Sequence, residues 1–163
     1  SCFDLETHRF LVGGSALLGS LVCGNRKGIA VADIATQDDL DELSSFGDVV
    51  VLESGVNAAG NLIECNDKGA VVSTTIPELG AEMISDVLGV KVVRTDIAGH
   101  NTVGSMIVAN NNGVLVHPDV LENLDVLENL EHQHLDDLEH QLHPVHHLLL
   151  PELPVHQLLL HSC

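Results

Sequence analysis

The sequence predicts an α/β fold in which one small unit of strand, hairpin, strand, helix and strand recurs. Three observations predict it. A Gly-to-Asn-x-x-Gly segment returns three times, and helix-start signals follow each return. The core must also be built from Val, Leu, Ile and Ala, because the chain has no Trp and no Tyr.

The three segments are Gly19-Ser-Leu-Val-Cys-Gly-Asn25-Arg-Lys-Gly28, Gly60-Asn-Leu-Ile-Glu-Cys-Asn66-Asp-Lys-Gly69 and Gly104-Ser-Met-Ile-Val-Ala-Asn110-Asn-Asn-Gly113, at offsets of 41 and 44 residues. A short apolar run follows each one. Asn25, Asn66 and Asn110 suit turn chemistry, since an Asn side chain can bond its own backbone two residues on. Gly28, Gly69 and Gly113 are expected to supply positive φ, and each turn is expected to be a short hairpin loop with a bulge.

Helix starts come next. Thr36-Gln-Asp-Asp39 resembles a capping box with Asp for Glu. Thr75-Ile-Pro-Glu78 offers a cap residue, a first-turn Pro and a Glu, and Asp119-Val-Leu-Glu122 is a weaker version. The first helix carries Leu40 and Leu43 and stops at Gly47. The second places Leu79, Met83 and Val87 on one face and ends at Gly89. Strands are expected over 49–52 and 90–93. The units then span about 13–53, 54–95 and 96–130, and residues 1–130 form the repeat domain. A period near forty also fits all-β propeller blades, but the helix in each unit argues against them.

Residues 131–163 form a low-complexity Leu- and His-rich tail. Asp119-Val-Leu-Glu-Asn-Leu124 is duplicated as 125–130. A helix from about Val120 to Leu142 fits the spacing of Leu135, Leu138 and Leu142, and Pro144 should end it. An engineered replacement, an out-of-frame read and an amphipathic appendage each remain open as its origin. His132, His134, His143, His146 and His147 could take up zinc, nickel or copper adventitiously, but their spacing defines no structural metal site.

The formal net charge is −18. That is poor for phosphate binding, which relies on Lys and Arg displacing counterions. All six basic residues lie at or before Arg94. Cys2, Cys23, Cys65 and Cys163 lack CxxC spacing, so no zinc or thioredoxin-like motif is indicated. Cys23 and Cys65 fall in apolar runs and read as buried free thiols in a reducing cytoplasm. No apolar run is long enough for a membrane span, and no secretion signal is visible.

Several motifs in order resemble the translation initiation factor 6 family of archaea and eukaryotes. They are Gly-Ser-Leu-Val-Cys-Gly-Asn-Arg-Lys-Gly, Asn57-Ala-Ala-Gly-Asn61, Asn66-Asp-Lys-Gly-Ala70, Asp86-Val-Leu-Gly-Val-Lys-Val-Val-Arg94, Ile97-Ala-Gly, Thr102-Val-Gly and Leu115-Val-His-Pro118. The resemblance implies a pentein-type α/β propeller, a ring of five units, of which this chain has three. It implies a cytoplasmic, non-enzymatic factor without cofactor, metal or catalytic residues. Such a factor binds the large ribosomal subunit, prevents premature joining of the small one and takes part in ribosome biogenesis. With so acidic a chain, the contact is expected to run mainly through ribosomal protein.

The resemblance also places Asn61 at a ribosome-contacting position. Ser20 and Ser105 hold the equivalent places after the other two glycines, and Asn57 and His100 lie in the preceding loops. Capping of strand starts is the plainer reading of these polar residues. Two rivals stand beside the family function. One is a pentein-class hydrolase using a Cys such as Cys163 beside His161. The other is a truncated or engineered fragment with only a scaffold role, whose open sheet edges allow a homo-oligomer.

Overall fold

Each described hairpin turns on an Asn that folds its own side chain back into the loop. The computed structural model of the chain describes residues 7–53 and 55–117. In order, these form α1 (Leu18–Leu21), β1 (Val22–Gly24), β2 (Gly28–Val31), α2 (Gln37–Leu43), β3 (Asp48–Val51), α3 (Ala59–Leu62), β4 (Ile63–Cys65), β5 (Gly69–Val72), α4 (Glu78–Leu88), β6 (Lys91–Arg94), α5 (Val103–Met106), β7 (Ile107–Asn110) and β8 (Gly113–Val116). Two three-stranded sheets result, β1-β2-β3 and β4-β5-β6, with the hairpin β7-β8 as a third. In both larger sheets the hairpin is antiparallel and the strand after the helix returns parallel. That return needs a crossover, which α2 and α4 supply.

Asn25 Oδ1 accepts from the backbone N–H of Lys27 at 2.9 Å and Gly28 at 3.1 Å, while Asn25 N–H donates to the Gly28 carbonyl at 3.0 Å. Asn66 and Asn110 repeat the pattern on Lys68 and Gly69, and on Asn112 and Gly113. Two expectations need correction. The pairing register runs evenly through all three hairpins, so none of them carries a bulge. Nor do the turn glycines adopt positive φ, which among the described glycines is confined to Gly13, Gly14, Gly55, Gly89 and Gly99. At Gly28 the requirement is space, because a Cβ there would lie 2.4 Å from the Val87 carbonyl oxygen on α4.

The first long helix starts as expected. Thr36 caps α2 through its side chain, and Asp39 reaches back to the Thr36 N–H to complete the box. The second differs. It begins at Glu78 with Pro77 as its cap residue, while Thr75 pairs its hydroxyl with Ser73. Its buried residues are Gly80, Ala81, Ile84 and Leu88. Of the stripe through Leu79, Met83 and Val87, Val87 packs against the core, whereas Leu79 and Met83 are 63% and 47% exposed. Ala81, Ile84 and Leu88 enter the core cluster shared by the two sheets, and a Cβ on Gly80 would meet Ile76 at 3.0 Å. Gly89 ends it with φ +60°, as the sequence indicates. The strands β3 and β6 sit within a residue of expectation.

The sequence gives no sign of α1, α3 and α5. These single turns begin where strands are expected and lead directly into β1, β4 and β7.

Packing runs from the first sheet to the second and from the second to the third hairpin. The largest core cluster joins Ala30 and Val50 of the first sheet, and Leu52 just past β3, to Ile63 and Val72 of the second through Ile84 and Leu88 of α4. A second cluster links Val71 to Ile97, Val103 and Ile107. A third gathers Val12, Leu21, Val31 and Leu43. The described residues form an open row of sheets rather than a closed ring. The proposed third-unit helix, the tail helix ending at Pro144, the tail histidines, Cys2 and Cys163 lie outside the described residues.

Candidate functional site

The candidate residues Ser20, Asn61 and Ser105 each occupy the third position of a one-turn helix. The sequences are Leu-Gly-Ser-Leu, Ala-Gly-Asn-Leu and Val-Gly-Ser-Met. A turn this short has little stability of its own, so packing holds it. Ala59 and Val103 are fully buried at the first position of α3 and α5. The second position is Gly because the helices stack backbone to backbone. A Cβ on Gly60 would lie 2.2 Å from the Gly19 carbonyl oxygen, and one on Gly104 would lie 2.3 Å from that of Gly60. The stack thus aligns α1, α3 and α5 side by side and brings the three polar positions into a series.

Ser20 and Asn61 are half-buried and Ser105 is exposed. None of these three side chains has a hydrogen-bond partner among the described residues. Their polar groups are therefore available to a ligand. Asn57 is different. Its amide, oriented to donate, meets the Asp33 carboxylate, which also accepts the Gly55 N–H at 2.8 Å. Asn57 thus helps hold the loop before α3. His100 is exposed, and its backbone closes a bridge with Ile97 across Ala98 and Gly99, both at positive φ. The same bridge forms between Val12 and Ser15.

Between the sheets runs a lattice that the sequence reading missed. Asn25 Nδ2 donates to the Asn66 carbonyl and Asn66 Nδ2 to the Asn110 carbonyl, each at 3.1 Å. Asn25 Nδ2 also reaches the Leu88 carbonyl at the end of α4. The next turn position adds a second rung: the Arg26 N–H and guanidinium on Asp67, and the Asp67 N–H on Asn111 Oδ1. The signal was present, since the bonds join residues 41 and 44 apart, the same offsets at which the motif recurs.

Charge follows this lattice. The Asn111 amide, and then the Arg26 N–H, hold the Asp67 carboxyl below the usual Asp range. Glu64 on β4 moves the other way. Burial raises its pKa above the ordinary 4.5, only partly offset by the Ala109 N–H that it accepts at 2.6 Å. A carboxyl raised by folding costs stability as pH climbs above its unfolded value. Glu64→Gln keeps the acceptor for Ala109 without that cost. Its melting temperature is expected to exceed that of the parent at pH 7 to 8, with the gap closing below about pH 4. An unchanged gap between pH 4 and 8 would remove charge as the cause.

A groove of about 400 Å³ lies along α4 and β6 and is lined by Glu78, Ala81, Glu82, Ser85, Lys91, Val92 and Arg94. Its charges are mixed, and Arg94 already donates to the Ile76 and Thr74 carbonyls. Among the described residues no three His, Cys, Asp or Glu side chains gather as metal ligands would. No helix among them is long and apolar enough to cross a membrane.

Comparison with known proteins decides the family. The model of the eIF-6 family matches residues 1–136. The chain belongs to the eIF-6 family. It is 43% identical over 115 residues to translation initiation factor 6 of Methanoculleus marisnigri, covering 71% of this chain and 52% of that protein. It is 42% identical over 111 residues to eukaryotic translation initiation factor 6 of Trypanosoma cruzi, covering 66% and 45%. With the Schizosaccharomyces pombe factor it shares 40% over 111 residues, covering 66% and 46%. The chain spans about half the length of the curated relatives it matches. The family is thus that of a translation initiation factor, and the motifs around Asn25, Asn61, Asn66 and Asn110 fall within the matched residues.

Proposed function

We propose that this chain is a non-enzymatic translation initiation factor that binds the large ribosomal subunit and prevents premature joining of the small one. Membership of the eIF-6 family supports the reading, and one structural observation supports its site: α1, α3 and α5 align Ser20, Asn61 and Ser105 with no internal hydrogen bond committing their side chains. Asn61 is the principal contact, flanked by Ser20 and Ser105. His100 and Asn57 border the face, with Asn57 acting through its loop. The net charge of −18 favours a basic ribosomal protein over bare RNA as the surface met. The factor acts in the cytoplasm and needs no cofactor. Its units are three of the five in a pentein-type α/β propeller.

Co-sedimentation with archaeal large ribosomal subunits tests this. The folded chain is expected to pellet with the subunit, and Asn61→Ala to weaken binding about tenfold, the worth of one or two interfacial hydrogen bonds. A well-folded chain that stays in the supernatant would reduce the family likeness to a shared scaffold.

One observation favours a second reading, a scaffold that self-associates. Val108 and Leu115, paired across β7 and β8, are each 66% exposed, whereas the matching Val71 and Ala30 are fully buried by the neighbouring unit. An apolar sheet face of this kind can join a second copy. Concentration-dependent sedimentation without ribosomes would separate this reading from the first.

A further inference from the structure

The first and second sheets meet at two sulfur atoms. Cys23 on β1 and Cys65 on β4 place their Sγ atoms 3.4 Å apart, close enough for one thiol to donate to the other. Both are free thiols; Cys65 is 7% exposed and Cys23 half-buried. They do not hold equivalent places in their units. Cys23 matches Glu64, and Cys65 matches Gly24 and Ala109. The same contact recurs one unit along, where Glu64 reaches across to the Ala109 N–H. The side chain at the Cys23 position therefore spans the joint between units by construction, and in the first joint it meets a second thiol.

We propose that Cys23 and Cys65 are an oxidation site, at which a peroxide converts the thiol pair into a disulfide that staples the first unit to the second. In the first step one sulfur, as thiolate, attacks a peroxide oxygen and breaks the O–O bond. The released hydroxide takes up a proton as water and leaves a sulfenic acid. The other sulfur then attacks the sulfenic sulfur, forms the S–S bond and expels a second water. Two thiols and one hydrogen peroxide give one disulfide and two waters, with both sulfurs oxidised and the peroxide reduced. The sulfurs need to close from 3.4 Å to about 2.05 Å, a displacement shared by two short strands.

The surroundings set the pace. The hydrogen bond to Cys65, and then burial, hold the Cys23 thiol well above its ordinary range. Since the thiolate is the reacting form, Cys23 reacts slowly, and faster as pH rises. The bond would close a loop of roughly forty residues in the unfolded chain. That is long enough to raise the melting temperature by on the order of 10 °C. The inference is independent of ribosome binding.

The test uses the full chain with Cys2 and Cys163 replaced by Ser, so that only this pair can react. After treatment with hydrogen peroxide, the expected product is a monomer 2 Da lighter, with peptides holding Cys23 and Cys65 joined. Its melting temperature is raised, and dithiothreitol reverses the change. Formation should quicken several-fold from pH 7 to pH 8.5. Cys23→Ser should abolish the linkage, and mapping the chain with both thiols present guards against a folding defect in that variant. Two thiols still open to alkylation after unfolding would overturn the proposal. So would sulfinic or sulfonic acids without linkage, or linkage only in denaturant.

Discussion

Replacing Gly60 by Ala is expected to destabilise the chain by about 3 kcal/mol or more, the upper range for forcing atoms into a close-packed site. The added Cβ would sit 2.2 Å from the Gly19 carbonyl oxygen and 2.8 Å from that of Val22. Both obstacles are backbone, so no side chain can swing aside. Gly104→Ala meets the same obstruction from Gly60 and Ile63 carbonyls. Gly19→Ala is the control. It holds the matching place in α1, has nothing within 4 Å of its Cβ position, and should be neutral or gain a few tenths of a kcal/mol from helix propensity. Urea unfolding of the three variants checks this. Equal losses at all three positions would show that helix geometry, rather than stacking between units, governs them.

Asn66→Ala should cost about 3 kcal/mol, roughly one for each hydrogen bond removed, because the groups left behind are poorly hydrated. Asn66 is 5% exposed. Its side chain accepts from Lys68 and Gly69 within its turn and donates to the Asn110 carbonyl across the joint. Asn110→Ala loses only the two bonds within an exposed turn and should cost about 1 kcal/mol, since water replaces them. Asn66→Asp separates the two roles. It keeps the acceptor for the turn but sets a carboxylate oxygen against the Asn110 carbonyl. It should fall between the parent and Asn66→Ala if the turn bonds dominate, and near or below Asn66→Ala if the joint dominates. Denaturant midpoints at constant slope measure all three.

The recurrence of Gly, Asn-x-x-Gly and a capping signal was enough to read the order of strands and long helices, because each reflects local chemistry. Thr36 and Asp39 satisfy each other within one turn, so the start of α2 was legible. The start of α4 was not, because the choice between Thr75 and Pro77 as its first boundary rests on Ser73 taking the Thr75 hydroxyl. Its buried face escaped notice for a related reason. Periodicity favours the large apolar residues Leu79 and Met83, whereas the face that α4 buries between the two sheets runs through Gly80, Ala81, Ile84 and Leu88, where a glycine and an alanine carry little apolar signal. The helices α1, α3 and α5 left no local signal, since they persist only by leaning on one another. The polar residues of the candidate face were found through family likeness, but their alignment follows from that stacking. The bond from Asn57 to Asp33 joins segments no motif connects.

The side-chain bonds of Asn25 and Asn66 between units point the same way, from the amide of an earlier unit to the carbonyl of a later one. During synthesis this gives the chain a direction. Asn25 can close its own hairpin as soon as Gly28 has emerged, while its amide waits in water for a carbonyl that appears 41 residues later. The waiting group is a hydrated donor, which is cheap to leave exposed, and the late arrival needs only a turn that Asn66 has already shaped. Each unit thus offers a finished template to its successor, and assembly can follow the order of translation without undoing earlier steps.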